Sequence, residues 1–198
     1  MKYIFYFVSL ISSISFAQIS DRNNPEKKPN SVNNQFVDSL NGNSIEFYLN
    51  HKGIDNYAKL YYQGKFAVSD DSLTFRFLDS LLTDNSVTQP FYLFIFNSVL
   101  SIADGAVAEP MCTICYAFLL KYPCRFVDLK YENNYSSEFA KWLDFAAFEF
   151  LMVEEPNLEV EAKFNDLKEI VKLNCPSYQE DLELIERSIQ EYIEKHAE

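Results

Sequence analysis

The chain contains one almost unbroken run of large apolar residues, Phe91-Tyr92-Leu93-Phe94-Ile95-Phe96, which continues as far as Ile102. This run is longer than most β-strands. It is shorter than the ~20 apolar residues that a membrane span requires, because Asn97 and Asp104 interrupt it. A helix that is apolar on nearly every side is buried by its neighbours. We therefore predict a central buried helix here, enclosed by other helices.

Short helices are predicted ahead of this central helix. Each of the three ends before a glycine, and they cover residues 35–41, 45–51 and 54–63. Gly42, Gly53 and Gly64 suit the left-handed position that ends a helix. Apolar and polar residues also alternate in part of this region, which leaves a β-hairpin over residues 44–68 as an alternative.

Longer helices are predicted around and after the central one. Ser69-Asp70-Asp71 is an N-cap signal, Pro110 is expected to begin a helix that ends before Pro123, and Ser136 or Ser137 is expected to cap the next. The last two helices carry apolar stripes at helical spacing, at Val160, Phe164, Leu167 and Val171 and at Tyr178, Leu182, Ile185, Ile189 and Ile193. We predict an all-α, single-domain bundle or short superhelix of about seven to eight antiparallel helices.

The N-terminus has the layout of a secretory signal peptide. Lys2 precedes an apolar segment over residues 4–11, and the small residues Ser15 and Ala17 follow it. We expect cleavage near Ala17 and a periplasmic or secreted mature protein. The predicted organisation is a signal peptide over residues 1–17, a disordered polar tether over 18–34, and a helical domain over 35–198 with an acidic C-terminal part.

The charge is negative and unevenly distributed. The net charge of the chain is −12; residues 18–131 hold 12 acids and 10 cations, whereas residues 132–198 hold 17 acids and 6 cations. A nucleic-acid backbone or an anionic bilayer would require the opposite sign, so neither is an expected partner. The acidic residues are either solvated helix faces or a recognition surface for a basic protein.

Small, acidic, helical chains with a signal peptide and cysteines resemble the periplasmic immunity proteins that protect bacteria from toxins. This resemblance implies a non-enzymatic protein whose acidic face binds a basic toxin. An envelope protein is the other expected kind of protein partner. A cell-envelope scaffold that binds peptide or lipid, and an enzyme with an unrecognised helical active site, remain alternatives. The candidate partner-binding residues are Glu154, Glu155, Glu159, Glu161, Glu180, Glu183 and Glu186.

Four cysteines are candidates for disulfide bonds, which are common in exported proteins. A bond between Cys124 and Cys175 is the favoured pairing, because joining Cys124 to Cys112 would require a sharp chain reversal. Cys112 and Cys115 would then be free or joined to each other. A four-cysteine zinc site is the weaker alternative, since Cys124 and Cys175 do not form a second C-x-x-C pair.

No pattern in the sequence indicates catalysis. His51 lies beside a predicted helix end and His196 lies near the last residue, so neither is expected to be held as a catalytic histidine must be. The adjacent carboxylates Asp70-Asp71 and Glu154-Glu155 point apart on a helix, whereas glycoside hydrolysis needs two that face each other. We expect no catalytic residue, no metal site and no cofactor.

Overall fold

Residues 37–197 are described by the computed structural model, and nine α-helices account for most of them. These are α1 (Ile45–Asn50), α2 (Asn56–Tyr62), α3 (Ser72–Asp79), α4 (Gln89–Ile102), α5 (Gly105–Lys121), α6 (Pro123–Asp128), α7 (Phe139–Leu151), α8 (Pro156–Asn174) and α9 (Gln179–His196). One 3-10 turn, Ser80–Leu82, follows α3 and another, Pro176–Tyr178, precedes α9. The predicted all-α bundle is confirmed. The predicted signal peptide, its cleavage near Ala17 and the tether over 18–34 lie outside the described residues.

A small antiparallel hairpin precedes α1. Its strands are β1 (Ser39–Leu40) and β2 (Asn43–Ser44), joined by Asn41 at φ 50° and Gly42 at φ 81°. Two successive residues with positive φ make the two-residue turn that matches strand twist, and Asn-Gly is its preferred sequence. The helix predicted over residues 35–41 is therefore wrong for the residues described.

The next segment is helical, as predicted, and the alternative β-hairpin over residues 44–68 is wrong. Ser44 and Asp55 cap α1 and α2, because their side-chain oxygens accept backbone N–H groups at 3.2 and 2.7 Å. Gly64 has φ 68° just after α2, as expected of a residue that ends a helix. Gly53 does not adopt a left-handed conformation, so its predicted role is wrong.

Asp71 caps α3 as predicted, whereas the predicted serine cap of α7 is wrong. The Asp71 carboxylate accepts two backbone N–H groups of the first turn of α3, both at 2.8 Å. The N-cap position of α7 is Glu138, and both Ser136 and Ser137 lie in the preceding turn. The Ser137 hydroxyl donates to the Glu138 carboxylate, so it is engaged by a side chain instead of by the helix backbone.

The predicted central helix is α4, in which every residue from 91 to 97 is buried. Its one buried polar side chain in that range, Asn97, is hydrogen-bonded. The Asn97 amide nitrogen donates to the carbonyl of Asn134 at 3.2 Å, and its oxygen accepts the indole N–H of Trp142 at 3.0 Å. The polar side chain is therefore tolerated in the core because its partners replace water.

Trp142 of α7 lies at the centre of an aromatic cluster. Its ring centroid is 4.8 Å from that of Phe96, 5.4 Å from Phe118 and 6.0 Å from Phe126. These partners come from α4, α5 and α6, and all four rings are fully buried. The cluster therefore holds four helices together through a single side chain.

The last two helices form an antiparallel hairpin that packs on α7. Eight of the nine residues of the two predicted stripes are buried, and the ninth, Tyr178, is half-buried in the 3-10 turn before α9. Lys168 of α8 contacts Glu186 of α9 at 2.7 Å, which fixes the alignment of the two helices. We call this unit the α8–α9 hairpin.

A cluster of polar side chains ties the turn after α6 to the start of α9. Lys130 and Tyr131 both donate to the Asp181 carboxylate, at 2.7 and 2.6 Å. Tyr178 stacks on Tyr131 with 6.5 Å between ring centroids and donates to Asp128. These contacts anchor the first turn of α9 against the body of the bundle.

Candidate functional site

The predicted disulfide between Cys124 and Cys175 is present. Their Cα atoms are 6.1 Å apart and the bond joins positions separated by 51 residues. It links α6 to the C-cap of α8, beside the polar cluster at the start of α9. The zinc alternative is wrong, because two of the four required sulfurs are bonded to each other.

Cys112 and Cys115 are free, buried thiols on α5. Pro110 lies inside α5, so the predicted helix start at Pro110 is wrong and the thiols are further from the helix N-terminus than expected. Burial raises the pKa of Cys112 to about 11, and the nearby carboxylates of Glu149 and Glu109 act in the same direction. Burial also raises the pKa of Cys115 well above its usual value. Both thiols are therefore protonated at neutral pH, which disfavours a nucleophilic role.

The carboxylates with resolved pKa shifts serve the fold. Hydrogen bonds from Ser69 and from backbone N–H groups of α3 lower the pKa of Asp71. Hydrogen bonds from Lys121 and a tyrosine lower that of Asp84. Burial alone would raise the pKa of Asp181, but hydrogen bonds from neighbouring lysine and tyrosine side chains outweigh it and lower the pKa. A carboxylate with a lowered pKa is ionised at neutral pH and is a poor general acid.

The two histidines have local partners. The His51 Nδ1 atom accepts the backbone N–H of Gly53 at 3.1 Å, immediately after α1. The His196 Nδ1 atom lies 2.8 Å from the carbonyl oxygen of Tyr192 in the exposed last turn of α9. Both histidines therefore belong to helix ends.

The seven predicted partner-binding glutamates fall into two groups. Glu154, Glu155, Glu159 and Glu161 lie at the N-terminal end of α8, whereas Glu180, Glu183 and Glu186 lie at the N-terminal end of α9. The 19 residues of α8 span about 28 Å. Because α8 and α9 are antiparallel, the two groups lie at opposite ends of the α8–α9 hairpin and do not make one continuous patch.

Two members of these groups pair within the molecule. The Glu186 side chain is only 13% exposed, and its carboxylate contacts Lys168. Glu159 lies 3.6 Å from Lys163 one turn further along α8. Glu154, Glu155, Glu161, Glu180 and Glu183 are exposed.

The first group borders a cavity of about 500 Å³ at the turn between α7 and α8, which we call the turn cavity. It is lined by Val153, Glu154, Glu155, Leu158 and Glu159. Leu158 is 59% exposed and Val153 is 40% exposed. The turn cavity thus combines accessible apolar side chains with three of the seven predicted glutamates.

A second cavity of about 450 Å³ lies between α3, α5 and α7, and we call it the three-helix cavity. It is lined by Asp70, Phe75, Ala106, Glu109, Pro110, Thr113, Phe148, Glu149 and Met152. None of these residues was a sequence candidate for binding. The sequence pointed only to Pro110, and it indicated a helix start there instead of a cavity wall.

Tyr116 of α5 lies near a carboxylate of each cavity. Burial and the nearby carboxylates of Glu159 and Glu149 raise the pKa of Tyr116. Glu159 lines the turn cavity and Glu149 lines the three-helix cavity, and the successive residues Met152 and Val153 also divide between them. Among the described residues that line either cavity, six are carboxylates and none is lysine or arginine. We call the two cavities together the acidic groove.

Comparisons of this chain with known proteins found no match. No protein-family model matches the chain, and no curated protein or solved structure matches it either. Within residues 37–197, no helix has both the length and the apolar character needed to cross a membrane. The same residues contain no group of three or more His, Cys, Asp or Glu side chains placed to hold a metal ion.

Proposed function

We propose that this chain is an exported, non-enzymatic protein that binds a basic protein partner through the acidic groove. The observation that supports this most strongly is the turn cavity, where Leu158 and Val153 are exposed beside Glu154, Glu155 and Glu159. Apolar side chains within a polar rim are the usual arrangement of a binding hot spot. The exposed carboxylates of Glu154 and Glu155 beside it would attract a basic partner from a distance.

The specific form of this proposal is an inhibitor or immunity protein that neutralises a basic toxin. The strongly acidic surface and the resemblance in size, charge and helical content support it. The bond between Cys124 and Cys175 is compatible with export, since disulfides persist in oxidising compartments. A rigid helical surface that covers the partner's active cleft would be a sufficient mechanism, and it needs no reactive group on this chain.

An envelope scaffold is a second candidate function. The observation that favours it is that Met152 is 67% exposed beside Val153 and Leu158, which gives the groove an apolar strip suited to a peptide or lipid. The two functions differ in their response to salt. Charge-driven binding weakens as salt rises, whereas apolar binding does not.

Binding can be tested with the immobilised mature protein and a secreted and envelope fraction from the cells that make it. Proteins retained at 50 mM NaCl are identified, and their dissociation constants are measured from 50 to 500 mM NaCl. We expect a basic protein whose affinity falls at least tenfold over this range. A complex unchanged at 500 mM NaCl would contradict the charge-driven proposal and favour the scaffold.

Matched variants locate the binding surface. Glu154→Gln/Glu155→Gln should weaken the retained complex at least tenfold. Glu46→Gln/Asp79→Asn removes the same charge from exposed positions on α1 and α3 and should weaken it less than twofold. Equal losses in both variants would show that only net charge matters, which would contradict the assignment to the groove.

Export is tested separately by intact-mass measurement of the natural protein. We expect a chain beginning near Gln18 in the secreted or periplasmic fraction. A chain beginning at Met1 and confined to the cytosol would contradict export.

A further inference from the structure

The three-helix cavity is lined both by hydrogen-bond acceptors and by aromatic rings. Its carboxylates are Asp70, Glu109 and Glu149. Phe75 and Phe148 are half-buried in its wall. Such a lining suits a side chain with a cationic head and an apolar stem.

Pro110 leaves one backbone carbonyl beside this lining without its usual donor. It lies inside α5 and has no N–H, so it cannot donate the usual helical hydrogen bond to the carbonyl of Ala106, four residues earlier. Ala106 and Pro110 both line the cavity. The Ala106 carbonyl is therefore an acceptor that the helix leaves without its normal partner, at the edge of a cavity that already holds three carboxylates.

Glu149 is held in position by a hydroxyl group of the lining. The Thr113 hydroxyl donates to the Glu149 Oε1 atom at 2.9 Å, from α5 to α7. An ionised carboxylate accepts several hydrogen bonds, so this contact orients Glu149 and leaves it able to accept from a ligand. The described lining residues include no cation that would neutralise the three carboxylates.

We propose that the three-helix cavity receives an arginine side chain of the partner protein. This inference rests on the proposed function, and it names the group that the partner inserts. The guanidinium carries five N–H donors in one plane and no acceptor, which matches carboxylates and a carbonyl arranged around one space. It also stacks on aromatic rings, and Phe75 and Phe148 offer two. A lysine ammonium is more strongly hydrated and offers three donors from a single point, so it fits this lining less well.

The probe for this proposal is N-acetyl-L-arginine amide, titrated into the ¹⁵N-labelled mature protein and followed by NMR. We expect saturable shifts in α5 around residues 106–113 and in α7 around 148–152, with a dissociation constant on the order of 1–10 mM. N-acetyl-L-citrulline amide has nearly the same shape without the charge, and it should bind at least tenfold more weakly. N-acetyl-L-lysine amide should bind at least threefold more weakly than the arginine probe.

Variants provide the matched comparison. Glu109→Gln/Glu149→Gln should weaken arginine binding at least tenfold, while preserving side-chain volume and the overall spectrum. Glu180→Gln/Glu183→Gln removes the same charge at the far end of the α8–α9 hairpin and should weaken it less than twofold. Equal binding of arginine and citrulline, equal effects of the two variants, stronger binding of lysine, or shifts confined to residues 153–159 would each overturn the arginine proposal.

The two proposals fail independently. If a basic partner depends on Glu154 and Glu155 but the arginine probe does not bind the three-helix cavity, the proposed function stands and the arginine inference fails. If the arginine probe binds this cavity but no basic partner uses the groove, the cavity chemistry stands and the protein-binding function fails.

Discussion

Aromatic rings fill the region around α4, α5 and α7, whereas the α8–α9 hairpin is closed mainly by aliphatic side chains. In the first region, Trp142 alone contacts three phenylalanine rings. In the second, the eight buried residues of the two stripes include one aromatic residue, Phe164. The hairpin is also held by a disulfide and by the polar cluster at Asp181.

The chain combines a stable body with an acidic surface by stabilising the two regions in different ways. Large buried rings stabilise the bundle by burial, which depends little on salt or pH. In the acidic α8–α9 hairpin, a covalent bond and hydrogen bonds to charged groups supply part of the attachment to the body of the bundle. We therefore expect the body to respond to changes in packing and the hairpin to respond to reduction and acid.

The largest effect is expected from Trp142→Ala. The substitution removes a fully buried ring and leaves the Asn97 oxygen without its donor, so the free energy of unfolding should fall by about 5 kcal/mol. Guanidinium unfolding followed by far-UV circular dichroism measures the change. Leu173→Ala, at a position that is 80% exposed on α8, should change it by less than about 0.5 kcal/mol. A loss below about 2 kcal/mol for Trp142→Ala would contradict this account of the core.

Removing the disulfide should have the next largest effect. Cys124→Ser/Cys175→Ser opens a loop of 51 residues, and the free energy of unfolding should fall by about 3 kcal/mol. Hydrogen exchange should accelerate in α8 and α9 more than in α4. A reducing agent should reproduce this in the natural protein and change nothing in the variant, since Cys112 and Cys115 are free thiols. Equal acceleration in α4 would show that the two regions unfold as one unit.

The smallest effect is expected from Asp181→Asn. At pH 7 the substitution weakens the hydrogen bonds from Lys130 and Tyr131 and should cost about 1 kcal/mol. The pKa of Asp181 is lowered in the folded protein, so its contribution is present above the unfolded pKa of about 4 and is lost as the pH falls through the folded value. Thermal unfolding of both proteins from pH 7 to pH 2 should show their difference shrinking below pH 4. A difference that grows on acidification would contradict the sign of this shift.

The parts of the fold that local pattern determines were predictable from the sequence. The run from Phe91 to Ile102 indicated a buried helix because it is longer than most β-strands and shorter than a membrane span. The stripes of α8 and α9 were equally clear because their apolar residues recur at helical spacing. The Cys124–Cys175 pairing was favoured because joining Cys124 to Cys112, at the other end of one helix, would require a sharp chain reversal, whereas the state of Cys112 and Cys115 was left open.

The errors arose where one residue type is compatible with two local structures. Gly42 was assigned to a helix end, but the preceding Asn41 makes the pair a hairpin turn. Pro110 was assigned to a helix start because proline is common there, yet α5 begins five residues earlier and continues through it. The three-helix cavity could not be predicted, since Phe75, Glu109 and Phe148 are brought together only by the packing of three helices.

Trp142 is the only tryptophan in the sequence, and it is fully buried among rings in the body of the bundle. The intrinsic fluorescence of the protein on excitation at ~295 nm therefore comes from one position, shielded from water, and should be shifted to the blue. This emission reports directly on the packing of the aromatic body, because the α8–α9 hairpin contains no tryptophan. Loss of helical signal before the emission moves to the red would thus reveal an intermediate in which the acidic helices have detached from an intact centre.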